Sequence, residues 1–387
     1  MKNLKIYNLI INIYLFFWSI FLFFISLILK KQKNKKYQRI NLVTVKKNNG
    51  LNIMLKYFSN NEIIKKKLGN IFYLSKIKKY FHESSINIFI GNPDILVPAF
   101  IKIFKFSFFK NYNIGFWFWE LEKIPNKWKL SKNMVNEIWV NSDYIYKSIF
   151  KLSKNIKKVP FYIDIDKKKI LSKNSLRLPL KKFIFIFTFD FLSYYQRKNP
   201  EAVVNAFLLA FKNDDNVYLF LKSINGKNKL KEKKKLLKLI KKHKNIELRD
   251  FYCSYNYNIS LISKADCYVS LHRSEGLGMG MAEAMFLKKP VIATNYSGNL
   301  EFMNKKNSCL VDYNLIPVPR NQYIYSSNQY WADPNLKHAA KLMIKIKKNK
   351  NFRNKISKNA EHSIKNKYSL KLFNQFMKNE LLKITKN

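Results

Sequence analysis

Apolar positions from residue 40 onward come in short, almost unbroken runs separated by longer polar stretches. INLVTV (40–45), INIFIG (86–91), YNIGFWFW (112–119) and EIWVNS (137–142) are runs of this kind. Such runs predict strands buried on both faces, as in parallel sheets. A second series starts at FIFIFTFD (183–190). It continues with a helix near 199–212, a strand VYLFLKS (217–223) and a lysine-rich helix near 229–243. Strands follow at IELRD (246–250), ADCYVSL (265–271), PVIAT (290–294) and SCLVDY (308–313), then helices over 335–348 and the C-terminal tail. Strands alternating with helices predict a parallel α/β sheet in each half. The segment 159–182 carries Pro160, Pro179 and a basic run, and is expected to link the two halves.

A chain of 387 residues fits two domains of ordinary size. Residues 9–29 carry no charge. At ~1.5 Å per residue this stretch reaches ~31 Å, enough for one transmembrane helix. Lys2 and Lys5 precede it, and KKQKNKKYQR follows it. The excess of basic residues after the span predicts that the C-terminal side faces the cytoplasm. No small-residue cleavage site follows the span, so it does not read as a cleavable signal peptide.

Hydrophobic residues make up 47% of the chain and aromatics 16%, which supplies a large core and excludes global disorder. Cys253, Cys267 and Cys309 are scattered, which argues against a disulfide framework or a zinc site and for a reducing compartment. The net charge of +49 would suit nucleic acid or an anionic membrane. However, the 73 basic residues include only seven arginines, and lysine is spread along almost every segment. Nucleic-acid readers favour arginine forks and a localised patch, so a nucleic-acid partner is not expected.

The glycines do have an address. The chain has nine, and Gly276, Gly278, Gly280 and Gly298 all fall within SLHRSEGLGMGMAEAMFLKKPVIATNYSGNLE (270–301). Glu275 and Glu283 bracket the first three. A strand runs into this loop and a helix leaves it, the place where open α/β sheets bind ligands. Glycines let the backbone approach a ligand, and the helix N-terminus suits a phosphate. Carboxylates accept hydrogen bonds from vicinal hydroxyls, such as those of a ribose or hexose.

This segment resembles the E-x7-E region of the retaining GT-B glycosyltransferases of family 4. YNIGFWFWELEKIPNKW (112–128), EIWVNSDYI (137–145), RKNPEAVVNAF (197–207) and YWADPNLKHAAKLM (330–343) resemble one bacterial branch of it. The resemblance implies two Rossmann-like domains with parallel sheets facing a cleft, preceded here by the transmembrane helix 9–29. The acceptor domain would span 40–165 and the nucleotide-sugar domain 180–370. A C-terminal helix, 371–387, would be free to pack back on the N-terminal domain. By resemblance, Glu283 binds the ribose hydroxyls and Glu275 the donor hexose. Backbone N–H groups near Gly276, Leu277 and Gly278 face the sugar and diphosphate. Lys198 matches the family's diphosphate lysine, with Arg197 beside it. His272 precedes the loop and is a candidate for lining the sugar pocket. Glu120, after an aromatic run that could form a platform, and His82 are acceptor-side candidates. No carboxylate pair is placed to hold a divalent ion, and neither metal nor cofactor is expected.

The implied activity is transfer of a hexose from a nucleotide-sugar to a lipid-linked or envelope glycan, at the cytoplasmic face of a membrane that the single-pass anchor and basic surface both favour. Two features depart from the family. Asp190 stands where a Gly-Arg pair is usual, and the first N-terminal loop, KKNNGLNIMLKYF, has only Gly50. They motivate a rival reading, a non-catalytic GT-B scaffold or binding protein at the membrane.

Overall fold

The computed structural model describes residues 39–44, 49–74, 85–101, 105–212, 214–324 and 328–386, with positions 17, 20, 21, 24 and 37. The apolar span 9–29 therefore lies almost wholly outside the described residues, as does His82. Among the described residues no helix is long and apolar enough to cross a membrane. The chain divides into two compact units. One comprises residues up to Trp119, Lys123–Pro160 and Lys371–Asn387, and the other Glu120–Glu122 and Phe161–Leu370.

Among the described residues, the first unit holds a six-stranded parallel sheet in the order β2-β1-β3-β4-β5-β6. Its strands are β1 (Arg39–Thr44), β2 (Leu68–Tyr73), β3 (Ser85–Ile90), β4 (Tyr112–Phe116), β5 (Glu137–Val140) and β6 (Ile156–Lys158). The register is fixed by buried amides. Asn41 pairs with Asn87, and Asn87 with Asn113. Asn41 Nδ2 donates to Asn87 Oδ1 and Asn87 Nδ2 to Asn113 Oδ1, both at 2.9 Å. A slip of one residue would break this ladder and turn the apolar set to the wrong face. The run 112–119 is not strand throughout: β4 ends at Phe116. Trp117 and Trp119 are fully buried against Trp128, so these tryptophans are core and not an open platform.

The C-terminal helix Leu370–Lys386 packs on this first sheet, with Phe373 against Phe58 and Phe376 against Trp139. Charges staple it. Glu137, buried at the start of β5, accepts from Tyr112 at 2.6 Å, Lys157 at 2.7 Å and Trp139 Nε1 at 2.9 Å. Lys157 also pairs with Glu380 of the helix.

The second unit holds β7 (Phe183–Asp190), β8 (Val217–Ile224), β9 (Ile246–Asp250), β10 (Cys267–Ser270), β11 (Val291–Thr294) and β12 (Cys309–Val311). They form a parallel sheet in the order β12-β11-β10-β7-β8-β9. The chain starts at β7, builds to one edge, then returns to build from β10 to the other. β7 and β10 are thus the neighbours at which the winding reverses, and β10, β11 and most of β7 are buried as parallel strands require. The segment 161–182 is not a loose linker: Phe161, Ile163, Leu176 and Leu178 belong to this unit's core. SCLVDY breaks after β12, and β13 (Tyr313–Pro317) pairs antiparallel with β14 (Tyr330–Pro334) in a sheet of its own.

Candidate active site

The turn after β7 and the loop after β10 bring three of the sequence candidates together. Lys198 Nζ donates to Glu275 Oε1 at 2.5 Å, and Arg197 Nη1 lies 3.2 Å from Glu275 Oε2. Arg197 is 4% exposed and Glu275 7%. Burial works to raise the Glu275 carboxyl, but Lys198 and Arg197 outweigh it and hold the group at about 2. Burial works against the Arg197 charge too, and Glu275 and Glu120 more than compensate. Arg197 Nη1 also donates to Ser274 O at 2.7 Å. Its Nε is buried and has no partner among the described residues. An unspent donor on a buried guanidinium carries a desolvation cost that an anionic ligand would relieve.

The cations sit on a strained turn. Residues Tyr195–Lys198 form one helical turn flanked by Tyr194 at φ 60° and Asn199 at φ 55°. Left-handed backbone at a non-glycine residue is uncommon and costs about 1–3 kcal/mol where sparsely populated, so the surroundings must hold it. Asn199 is held by its side chain, which donates to Leu271 O at 3.0 Å. Tyr194 O accepts from Arg197 N at 2.9 Å and Lys198 N at 3.1 Å.

The glycine loop is shaped by close backbone approach. A Cβ on Gly298 would lie 2.0 Å from Gly276 O, and no side-chain movement could relieve that. The approach lets Gly298 N donate to Glu275 O at 2.8 Å. Gly278, at φ 88°, precedes the helix Met279–Phe286. Ser297 Oγ accepts from Glu275 N at 2.8 Å, so Ser297 positions the acid, although nothing along the chain marks it beyond its place next to Gly298. Leu277 is buried within the loop.

Glu283 stands apart from the cations. It lies on the helix after the loop, 4% exposed, and burial pushes its carboxyl up to about 7 while a hydrogen bond from Tyr255 offsets part of the rise. His272 is fully enclosed. Its Nδ1 faces Ser270 Oγ at 3.1 Å, and its Nε2 faces Asn299 Oδ1 at 3.2 Å. Burial lowers its basicity, against the pull of Glu275. Both ring nitrogens thus face partners within the second unit. Glu120 belongs to this second unit, 3.9 Å from Arg197 Nη2, and accepts from the Tyr323 hydroxyl. Asp190 acts locally. Its Oδ1 accepts from Leu192 N at 2.8 Å and Asn225 Nδ2 at 2.7 Å, closing the ends of β7 and β8. Among the described residues no three His, Cys, Asp or Glu side chains cluster as metal ligands would.

Three structures of similar fold are each distant in sequence. A point mutant of Staphylococcus aureus TarM, solved with fondaparinux, α-GlcNAc-glycerol and UDP, is 17% identical with a TM-score of 0.56. The match covers 76% of this chain and 55% of TarM, so this chain spans about half of TarM's length. Anabaena HepE, solved with UDP and glucose, is 13% identical over 89% of this chain and 100% of its own, with a TM-score of 0.65. A glycosyltransferase from Rickettsia africae is 15% identical over 90% and 98%, with a TM-score of 0.63. These likenesses support the GT-B two-domain α/β fold. No curated protein matches the chain. Residues 169–363, half of the chain and nearly all of the second unit, match the family described as glycosyl transferases group 1, and the chain belongs to that family.

Proposed function

We propose that this protein is a retaining glycosyltransferase that moves a hexose from a nucleotide-sugar to a lipid-linked or envelope glycan at the cytoplasmic face of a membrane. The observation that carries the reading is the Arg197–Lys198 turn meeting Glu275 where the second sheet reverses its winding. Two cations there match the charge of a diphosphate, and the unpartnered Arg197 Nε leaves one donor for it. Transfer breaks the bond between the anomeric carbon and a phosphate oxygen, and that electron pair stays on the diphosphate. Fixed cations favour this charge most as it grows, which lowers the barrier and does not merely tighten binding. The acceptor hydroxyl bonds to the anomeric carbon on the same face and gives up its proton to the departing oxygen. Once Lys198 turns to the phosphate, Glu275 is released toward the hexose hydroxyls, and Glu283 takes the ribose.

TarM, HepE and a pneumococcal O-GlcNAc transferase were each solved with UDP, which supports a uridine donor. The membrane address rests on the apolar span 9–29 and the basic run after it. We propose no metal requirement, because two cations of the chain itself stand ready to neutralise the diphosphate.

The test is a thermal-shift series with UDP, GDP and their glucose, GlcNAc and mannose conjugates, followed by turnover in EDTA. A bound donor raises the unfolding temperature by mass action. Stabilisation by one nucleotide-sugar, with its consumption persisting in EDTA, is the expected result. No shift with any of them would favour the scaffold reading.

A further inference from the structure

The β13–β14 hairpin forms a sheet of its own in the second unit. Its base is clamped to the residue before Ser274 and Glu275. Ala332 N donates to Arg273 O at 2.9 Å, and Arg273 Nη2 donates to Asp333 at 3.0 Å. The Arg273 guanidinium lies over Trp331, which is 1% exposed. Between the strands the chain carries Tyr323, 5% exposed. Its hydroxyl donates to Glu120 Oε2, and its ring lies 4.4 Å from the ring of Tyr194. Burial, and then the Glu120 charge, push the phenol far above its ordinary range, so it remains a donor.

These contacts lead to the two cations by separate routes. Glu120 faces Arg197 Nη2, and the Ser274 hydroxyl donates to the Glu120 carbonyl, tying that residue to the Glu275 loop. Tyr194, at positive φ, is the residue whose carbonyl holds the amides of both Arg197 and Lys198. We propose that Tyr323 is a positioning residue for the two donor-facing cations, orienting Arg197 through Glu120 and bracing the strained Arg197–Lys198 turn through Tyr194. The proposal rests on the reading of Arg197 and Lys198 as diphosphate ligands. Ordinary core packing would explain the burial of the Tyr323 ring. It would not explain a buried hydroxyl spent on a carboxylate that faces Arg197.

The two routes can be cut separately. Tyr323→Phe keeps the ring on Tyr194 and removes the donor to Glu120, while Tyr323→Leu removes both. UDP affinity is measured by calorimetry. Turnover is followed as UDP release from UDP-glucose or UDP-GlcNAc, whichever the wild type consumes, per mole of folded protein. We expect Tyr323→Phe to lower turnover about tenfold with UDP affinity within about twofold, because Arg197 acts on charge that grows late. We expect Tyr323→Leu to lower both, each by roughly tenfold or more. In an Arg197→Lys background the Tyr323→Phe effect should vanish, since residues acting through one group are not additive. Glu120→Gln, which leaves the hairpin intact, should reproduce the Tyr323→Phe loss and decides the matter if Tyr323→Leu does not fold. Wild-type turnover in Tyr323→Phe and Glu120→Gln would overturn the proposal, as would an undiminished Tyr323→Phe loss in the Arg197→Lys background. If the wild type binds neither UDP nor GDP and consumes no nucleotide-sugar, the donor reading itself falls and takes this proposal with it.

Discussion

Each unit contains a buried glutamate held by lysine and by its neighbours, and the two clusters use nearly the same side chains. In the first unit Glu137 is matched by Lys157, Tyr112 and Trp139. In the second Glu275 is matched by Lys198 and Arg197, with Glu120 and Tyr323 behind them. The difference lies in position and in what is left unspent. Glu137 is the first residue of β5, and both of its oxygens are occupied. Glu275 lies past the carboxyl end of β10, on a glycine loop opposite a turn flanked by two non-glycine residues of positive φ. There Arg197 retains a donor with no partner among the described residues. A saturated cluster at the amino end of a strand is a staple. An unsaturated, strained one at the carboxyl end is built to receive something.

The most direct way to break this comparison is to remove the lysine from the second cluster. Lys198→Ala should lower turnover roughly 10²–10³-fold, the range seen when one preorganised transition-state donor is lost. Nucleotide affinity should fall much less, both read per folded molecule, because Glu275 loses the partner that does most to hold it ionised. Equal losses of affinity and turnover would mean that Lys198 binds the ground state as strongly as the transition state.

The reverse pattern is expected in the first unit. Glu137→Ala leaves the Tyr112 hydroxyl and Trp139 Nε1 without their acceptor and loosens Lys157. Breaking a buried pair in this way costs about 3 kcal/mol of stability. Urea unfolding should show it, while turnover per folded molecule stays at the wild-type level. A loss of turnover in the folded fraction would show that the staple also serves the reaction.

Much of this was legible in the sequence, and the reason is local. The strands of the second unit fall within about two residues of the apolar runs, because parallel strands buried on both faces leave a near-continuous signal. Glu275, Arg197 and Lys198 stand in short motifs. The hairpin does not, because β13 finds its partner across a loop containing Pro319, and nothing in either strand announces the other. Tyr323 reads as one of 23 tyrosines until the fold sets it on Glu120 and Tyr194. Along the chain Glu120 is marked only by the aromatic run before it, and its contact with Arg197 is made by the fold. The asparagine ladder is hidden inside three largely apolar runs that contribute one asparagine each.

Glu283 sharpens the comparison by pH. Burial raises its carboxyl from 4.5 to about 7, so between those values the folded chain holds a proton that the unfolded chain has lost. Its contribution to stability is therefore fully present below about pH 4.5 and is lost as pH rises through about 7, by up to ~1.4 kcal/mol per unit. The ionised carboxylate accepts from both vicinal hydroxyls of a ribose, whereas the protonated form gives up one oxygen to a proton. UDP affinity should therefore rise about tenfold from roughly pH 6 to pH 8, while stability across that interval falls. Glu283→Gln should flatten both profiles and bind UDP weakly throughout. A wild-type affinity independent of pH would remove Glu283 from the ribose site.

The smallest effect is expected where the same charges meet in water. Lys158 and Asp143, at the end of β6 and the start of the helix Asp143–Phe150, pair at 2.8 Å with side chains 40% and 64% exposed. Distance alone would rank this pair with Lys198–Glu275. Solvent screening and the entropy of holding a long side chain cancel most of the attraction, and such pairs contribute about 0–1 kcal/mol. Lys158→Ala should therefore leave turnover unchanged and shift stability by less than about 0.5 kcal/mol, with the difference disappearing in about 1 M salt. In a chain with 73 basic residues this control matters. If Lys158→Ala matched Lys198→Ala in turnover, the second cluster would owe nothing to its place in the fold, and the contrast between the units would collapse.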